Sequence, residues 1–243
     1  MINSKTSNNL LAGGGGEYII DINPNDYSAS NPYVAPTGRK YYRHSSGMGT
    51  VMVWNDNGVE RETLILDMQY HNVKKYWGAL GIDVSGITDY TSAPFKNQSD
   101  NNYILGSSNT TPSAYYGQTD AVLDAKFNWR DKHTSKENTD AFISDYPSSS
   151  YAANFCRSVT VNGVGCDLPN MQTLVRIFCD RAVLHAFDAT DTNDYWSSWF
   201  NVSRVWNSSE YHLNYAWGVF YDGFVYYYYK DRGFRYVVPI LEL

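Results

Sequence analysis

Residues 195–243 read YWSSWFNVSRVWNSSEYHLNYAWGVFYDGFVYYYYKDRGFRYVVPILEL. Nine of the chain's 22 Tyr fall here, joined by Trp196, Trp199, Trp206 and Trp217 and by Phe200, Phe220, Phe224 and Phe234. A core cannot absorb them all. A buried Tyr needs a partner for its hydroxyl, and four consecutive Tyr in a strand point alternately to both faces, so part of Tyr226 to Tyr229 is expected to face solvent. Clustered exposed aromatics mark binding surfaces. Tyr mixed with Ser, Gly, Asn, Asp and a few Trp is the composition of antibody paratopes, because Tyr offers a large amphipathic contact with little side-chain entropy to lose. The plainer alternative is a Tyr-rich strand pair in an ordinary sandwich, since Tyr is a good strand former.

Two kinds of position interleave in this stretch. Trp196-Ser197-Ser198, Glu210, Ala216-Trp217, Val219, Gly223, Val225, Lys230 and Val237-Val238-Pro239-Ile240-Leu241 read as scaffold. Written W-S-S…A-W-x-V…G-x-V…K…V-V-P, they closely resemble the C-terminal framework of C-type-lectin-fold proteins diversified by diversity-generating retroelements, and of related bacterial lectin-like domains. In that family, adenines in Asn codons of the final stretch are randomised while framework codons are spared. Between the framework positions stand Tyr211, His212, Asn214, Tyr215, Gly218, Tyr221, Asp222, Phe224, Tyr226, Tyr227, Tyr228, Tyr229, Asp231, Gly233, Phe234 and Tyr236. Each is reachable from AAC by changing only its two adenines, whereas Trp, Glu and Lys are not. With Asn201 and Ser203, these residues are the ligand-binding set that the resemblance implies.

Weaker motifs extend the likeness toward the N-terminus. Gly49-Thr-Val-Met-Val-Trp54 and Glu62-Thr-Leu-Ile-Leu-Asp67 flank Asn57-Gly58, which predicts a hairpin. Trp77-Gly78 with Gly81-Ile82-Asp83 is similar to the family's W-G-x-x-G-x-D segment. Ser85 to Gln118 is a long polar loop, a length that is usually functional or packed by its own side chains. Helices are expected over Ser135–Tyr146, from Ser148 with Ser caps to Arg157, and over Met171–Arg181, whose Leu174, Val175, Phe178 and Cys179 share one face. The resemblance covers about Gly47 to Leu243. It implies an α+β, C-type-lectin-like fold of two helices flanking short antiparallel sheets, with a variable region at about 195–243.

Residues 1–46, rich in Asn, Ser, Gly and Pro, are expected to form an extended arm for attachment or oligomerisation, with Tyr18 to Ile22 as a short strand. Residues 47–243 are expected to form the ligand-binding domain.

Hydrophobic content of 43% with 18% charge fits a folded chain, and a net charge of −6 argues against nucleic acid or an anionic membrane. Met1 to Gly16 lacks the apolar core of about 7–15 residues of a secretory signal, and no run approaches the ~20 residues of a membrane span. The three cysteines, Cys156, Cys166 and Cys179, form no C-x-x-C pair and read as small buried residues. Formylglycine-generating enzymes share the fold family but need a reactive cysteine pair near the C-terminus, and no cysteine follows Cys179. His44, His71, His133, His185 and His212 show no metal-binding spacing, and no nucleophile elbow or phosphate loop occurs. Trp54-Asn55-Asp56 matches part of the calcium motif of C-type lectins but lies in the first hairpin without its companion, so it reads as turn chemistry. Asp188, Asp191 and Asp194 read as loop caps.

The expectation is therefore a non-enzymatic protein with no cofactor or metal, binding a bacterial cell-surface protein or glycan receptor. Its setting would be a phage tail-fibre tip or an extracellular surface, as a homo-oligomer joined to other virion or fibre subunits through the arm. The alternatives are a variable bacterial adhesin, an inactive relative of formylglycine-generating enzymes and a purely structural virion protein.

Overall fold

The computed structural model describes residues 22–71, 73–96, 118–191, 196, 204–220, 225–232 and 235–243. Among these the chain is a mixed α+β protein with five α-helices and two five-stranded sheets, plus a small two-stranded ribbon. The Asn-Gly signal is realised at the hairpin of β3 (Gly49–Asp56) and β4 (Val59–Leu66). Asn57 and Gly58 take φ of 52° and 93°, the pair of positive values that a type I′ turn requires. β1 (Tyr33–Val34), β2 (Lys40–Arg43) and the C-terminal β12 (Ile240–Glu242) complete an antiparallel sheet of order β1-β2-β3-β4-β12. Strand alternation puts Met52, Trp54 and Ile65 in the main core, while Val51, Val53, Leu64 and Leu66 enter a smaller one on the other face.

The boundary expected at residue 46 cuts through this sheet. Tyr41 is fully buried, and Arg39 ends in an ionic network linking distant segments. Its guanidinium reaches Asp180 at 2.9 Å and Asp120 at 2.8 Å, and the Tyr41 hydroxyl donates to Asp180 at 2.5 Å. Arg176 binds the same Asp120 at 2.8 Å and lies 4.4 Å over the Trp54 ring. A polar composition suited to an arm is thus offset by a few side chains that pair far along the chain. Ile22, Tyr27 and Tyr33 also pack on the main core. The remainder of the expected arm, residues 1–21, lies outside the described residues, as does most of the loop expected at Ser85 to Gln118.

The second sheet holds most of the described residues of the aromatic-rich C-terminal stretch. β8 (Arg204–His212), β9 (Tyr215–Phe220) and β10 (Val225–Tyr229) form an antiparallel meander, and β11 (Arg235–Tyr236) runs parallel to β8 and pairs with β5 (Lys74–Lys75), giving the order β10-β9-β8-β11-β5. One face shares the main core with α4 (Met171–Cys179) through Val205, Trp217, Val219 and Val225. The other face lays Trp206 and Ala216 on Phe142 of α2 (Ser135–Asp145) and Ala153 of α3 (Ala152–Ser158).

Helix ends show where local signals were sufficient. Thr134 and Glu137 close a capping box at α2, and Asn170 caps α4. α3 starts at Ala152 rather than Ser148, because the Ala152 N–H donates to the Tyr76 carbonyl at 2.8 Å and the expected Ser caps form a turn instead. The helix expected to reach Arg181 stops at Cys179; Asp180 then caps α5 (Arg181–Phe187), a helix absent from the sequence reading, as is α1 (Asp120–Lys126). Past Tyr236, Ile240 and Asp167 exchange backbone hydrogen bonds at 2.7 and 3.0 Å, and Ile240 to Glu242 pair with Thr63 to Ile65.

Candidate functional site

The end of the β8–β9–β10 meander carries an aromatic cluster that its pairing dictates. Tyr227 lies opposite Trp217 and Tyr229 opposite Tyr215, so their side chains share a face. Tyr211 stacks on Tyr227 with centroids 4.0 Å apart and meets Trp217 edge-on at 5.3 Å. Tyr215 lies 4.4 Å from Tyr229 and 4.9 Å from His212. A hydrogen bond with Tyr229 is the main cause that raises the Tyr215 phenol to about 12, so the Tyr215 hydroxyl stays protonated at neutral pH. Tyr226, 45% exposed, stacks on Tyr227 at 4.7 Å. The path continues inward through Trp129, 6.1 Å from Trp217, to Tyr90, which stacks on Trp129 at 3.9 Å.

Behind the rings, the scaffold positions are buried. Glu210, Ala216, Val219, Val225 and Lys230 are completely inaccessible, and Trp217 is 2% exposed. Lys230 hydrogen-bonds Glu210 and the Ile82 carbonyl, the latter at 2.5 Å, and its ammonium sits 4.6 Å over Trp77. Burial pushes the Glu210 carboxyl up and the Lys230 amine down, each against the attraction of the other. The backbone of Lys230 accepts from Trp77 and Gly78, and that of Glu210 accepts from Tyr90. The pair thus fastens segment 77–90 beneath the aromatic cluster.

Tyr228 points to the opposite face, as alternation requires. The Arg204 guanidinium lies 4.3 Å and that of Arg235 4.7 Å from its ring centre. A hydrogen bond from Arg204, assisted by the charges of Arg204, Arg235 and Arg232, lowers the Tyr228 phenol despite burial.

The expected ligand-binding residues therefore divide. Tyr211, His212, Tyr215, Tyr226, Tyr227 and Tyr229 come together. Only Tyr226 among the four consecutive Tyr is strongly exposed; Tyr227, Tyr228 and Tyr229 are half-buried. Asn214 shapes the β8–β9 turn, its side chain accepting from the Gly81 N–H at 3.0 Å. Asp231 follows β10 and is half-buried. Gly218 is buried, and a Cβ there would stand 3.0 Å from the Val205 carbonyl and 3.5 Å from Trp206, so it belongs to the packed layer rather than to a contact surface. Tyr236 sits on β11, separated from β9 by β8, with Lys74 over its ring at 4.6 Å. Asn201, Ser203, Tyr221, Asp222, Phe224, Gly233 and Phe234 lie outside the described residues. Sequence reasoning missed Tyr90, Trp129, Arg204 and Arg235, since no spacing ties them to the stretch.

Asp56 of the Trp-Asn-Asp motif is held by Arg130 and by Arg61 at 3.5 Å, and Gly58 N–H donates to Asn55 Oδ1 at 2.6 Å, so the motif does serve as turn chemistry. Asp188 accepts from Met68 N–H and Trp196 Nε1, and Asp191 from Trp196 N–H and His185. Both are structural acceptors; Asp194 lies outside the described residues. Among the described residues, Asp83, Asp89 and Glu210 bring carboxylate oxygens within 4.8 Å of one another, but Lys230 already supplies the opposing charge there. The three cysteines are buried, and burial raises every thiol, to about 12 for Cys166 and Cys179, which makes them poor nucleophiles. A polar cleft of about 410 Å³ beside the β3–β4 hairpin is lined by Arg61, Arg130, His133, Gln172 and Glu242, away from the aromatic cluster.

Comparisons with protein-family models, curated proteins and solved structures found no match.

Proposed function

We propose that the chain is a C-type-lectin-like, diversified ligand-binding protein whose aromatic surface on β8, β9 and β10 captures an external receptor non-covalently. One observation carries the reading: Glu210, Ala216, Trp217, Val219, Val225 and Lys230 are buried, while Tyr211, His212, Tyr215, Tyr226, Tyr227 and Tyr229, which interleave with them in β8, β9 and β10, are half-exposed or exposed and meet in one cluster. Amphipathic rings with few rotamers, backed by a buried lattice, form a pre-organised contact surface. Gly218 apart, the division follows the split between spared and randomised codons that the resemblance implies. The setting we favour is a phage tail-fibre tip acting on a bacterial surface protein or glycan. A variable bacterial adhesin is the neighbouring reading. Modest affinity per site would make a homo-oligomer advantageous through avidity.

The test is capture of a panel of bacterial surfaces by folded protein and by Y211S/Y215S/Y226S/Y227S. The quadruple variant is expected to lose its target while remaining folded by circular dichroism. Equal capture by wild type and variant would move the paratope elsewhere.

A further inference from the structure

The polar cleft beside the β3–β4 hairpin, about 410 Å³ in volume, has two walls. Strand register builds the first. Trp54 stands across from Arg61, and Thr63 stands across from both Met52 and Glu242. Residues directly opposite, and those two apart along a strand, share a face, so Trp54, Asp56, Arg61, Thr63 and Glu242 line one wall. The same face carries Met52, Ile65 and Ile240 into the main core, and the cleft is its polar outer end. Glu60 and Glu62 turn their carboxylates to the other face, toward Lys40 at 3.2 Å and the Tyr42 hydroxyl at 3.4 Å. The second wall is segment 130–134 with the start of α4. It is held in place: Asn170 donates to the His133 carbonyl at 3.1 Å, while Gln172 accepts from the Asp131 N–H at 3.1 Å and donates to the Trp129 carbonyl at 3.3 Å.

Several ionic groups of the cleft already answer one another. Asp56 meets Arg61 at 3.5 Å and also Arg130, which reaches Asp124 at 2.5 Å. Asp131 accepts from Ser209 at 2.6 Å and from Asn138 at 2.9 Å. The capacity left over is of both kinds. The Thr63 hydroxyl accepts from Trp54 Nε1 at 3.0 Å and keeps its proton to donate. Glu242 spends one oxygen on the Ser135 N–H at 2.9 Å and keeps the other. Arg61 is exposed and has donors beyond its contact with Asp56, and the exposed Lys132 ammonium has no partner among the described residues. An anion here would stand among Asp56, Asp131 and Glu242, and a cation among Arg61, Arg130 and Lys132; like charges set side by side count against each. An apolar guest would strip water from polar walls and replace none of its hydrogen bonds. A hydroxyl both donates and accepts, and the volume lies within the roughly 300–1,000 Å³ of small-molecule sites. We propose that the cleft is a second binding site, for a small neutral polyhydroxylated ligand of one or two sugar rings, with Arg61, Thr63, Lys132 and Glu242 as its hydrogen-bonding groups. It lies away from the aromatic cluster, and the inference does not depend on the reading given to that surface.

The probes are glucose, galactose and mannose, each beside its uronate and its 2-amino counterpart, titrated into the whole chain by saturation-transfer NMR in EDTA so that no metal contributes. At least one neutral hexose is expected to bind saturably, and at least fivefold more tightly than either charged counterpart of the same ring. R61M/K132M, at two exposed positions, should weaken that binding at least fivefold with an unchanged melting temperature; K132M alone should weaken it about twofold and keeps the test open should the double variant misfold. Absence of binding by all three hexoses, tighter binding of a uronate or amine, or unchanged binding by the Met variants would overturn the site. Y211S/Y215S/Y226S/Y227S separates the two surfaces: it should bind the hexose as wild type does, and loss of hexose binding in that variant would move the sugar to the aromatic cluster and overturn the cleft.

Discussion

In the sheet that contains β2, Arg39 and Arg43 end on carboxylates: Arg39 on Asp120 and Asp180, Arg43 on Asp67 at 2.6 Å. In the sheet that contains β8 and β11, Arg204 and Arg235 close on the ring of a tyrosine. The same side chain thus serves two ends. Where each guanidinium meets carboxylates inside the protein, the pairs join segments up to 141 residues apart and commit the chain to its fold. Where guanidiniums gather around an aromatic ring at half-exposed positions, they shape a surface. Substitution should therefore damage folding in the first sheet and recognition in the second.

The largest expected effect is at Arg39. R39M removes a cation from between two buried carboxylates and should cost about 3–5 kcal/mol, because the carboxylates remain uncompensated. Urea unfolding measures it; a loss below about 1 kcal/mol would show that the network is dispensable.

W217A tests the place where the two behaviours meet, since this ring belongs to both the main core and the aromatic cluster. It should cost about 3–5 kcal/mol and also abolish capture, whereas a variant that lost capture at full stability would place Trp217 on the surface alone.

Acid should loosen the first sheet's end. His71 is buried beside Trp196, 5.0 Å away, and desolvation lowers its pKa from 6.5 to about 4. The folded form resists the proton that the unfolded form accepts, so stability contributed above pH 6.5 is lost as pH falls toward 4, by on the order of 3 kcal/mol. Melting temperature across that range should decline less in H71Q than in wild type; parallel declines would assign the acid sensitivity to other groups.

Smaller effects are expected among the consecutive tyrosines. Y227S, which removes a half-buried ring packed on Tyr211 and Trp217, should cost about 1–2 kcal/mol. Y226S should stay within about 0.5 kcal/mol. Thermal melts of the two single variants decide the order, and reversal would mean that Tyr226 carries the packing.

Much of this division was legible in the sequence because it is written locally. Asn57-Gly58 specified a turn by backbone conformation alone, and the two residue types interleaved after residue 211, Ala216, Trp217, Val219, Val225 and Lys230 against Tyr211, Tyr215 and Tyr226 to Tyr229, separated a buried from a more exposed set. The boundary at 46 failed because composition averages over residues, while Tyr41 and Arg39 enter the core through single long-range partners. Gly218 failed for a related reason: a residue without a side chain looks neutral until Trp206 is seen lying against it. The closing of Arg204 and Arg235 on Tyr228 was invisible because β8, β10 and β11 are brought into one sheet only by the topology.

The clamp on Ile240 has a consequence for heredity. Its exchange of hydrogen bonds with Asp167 and its pairing with Ile65 fix the point at which the chain must arrive after leaving β10. One codon inserted or deleted between these anchors would press on that register, and a slip of a single residue in β12 turns Ile240 toward the smaller core and Leu241 toward the main one. Copying that swaps bases at constant length leaves the clamp untouched. A change of residue at constant length between Tyr229 and Ile240 alters the side chains on offer without moving the register of β12, so substitution is the heritable change this segment tolerates best.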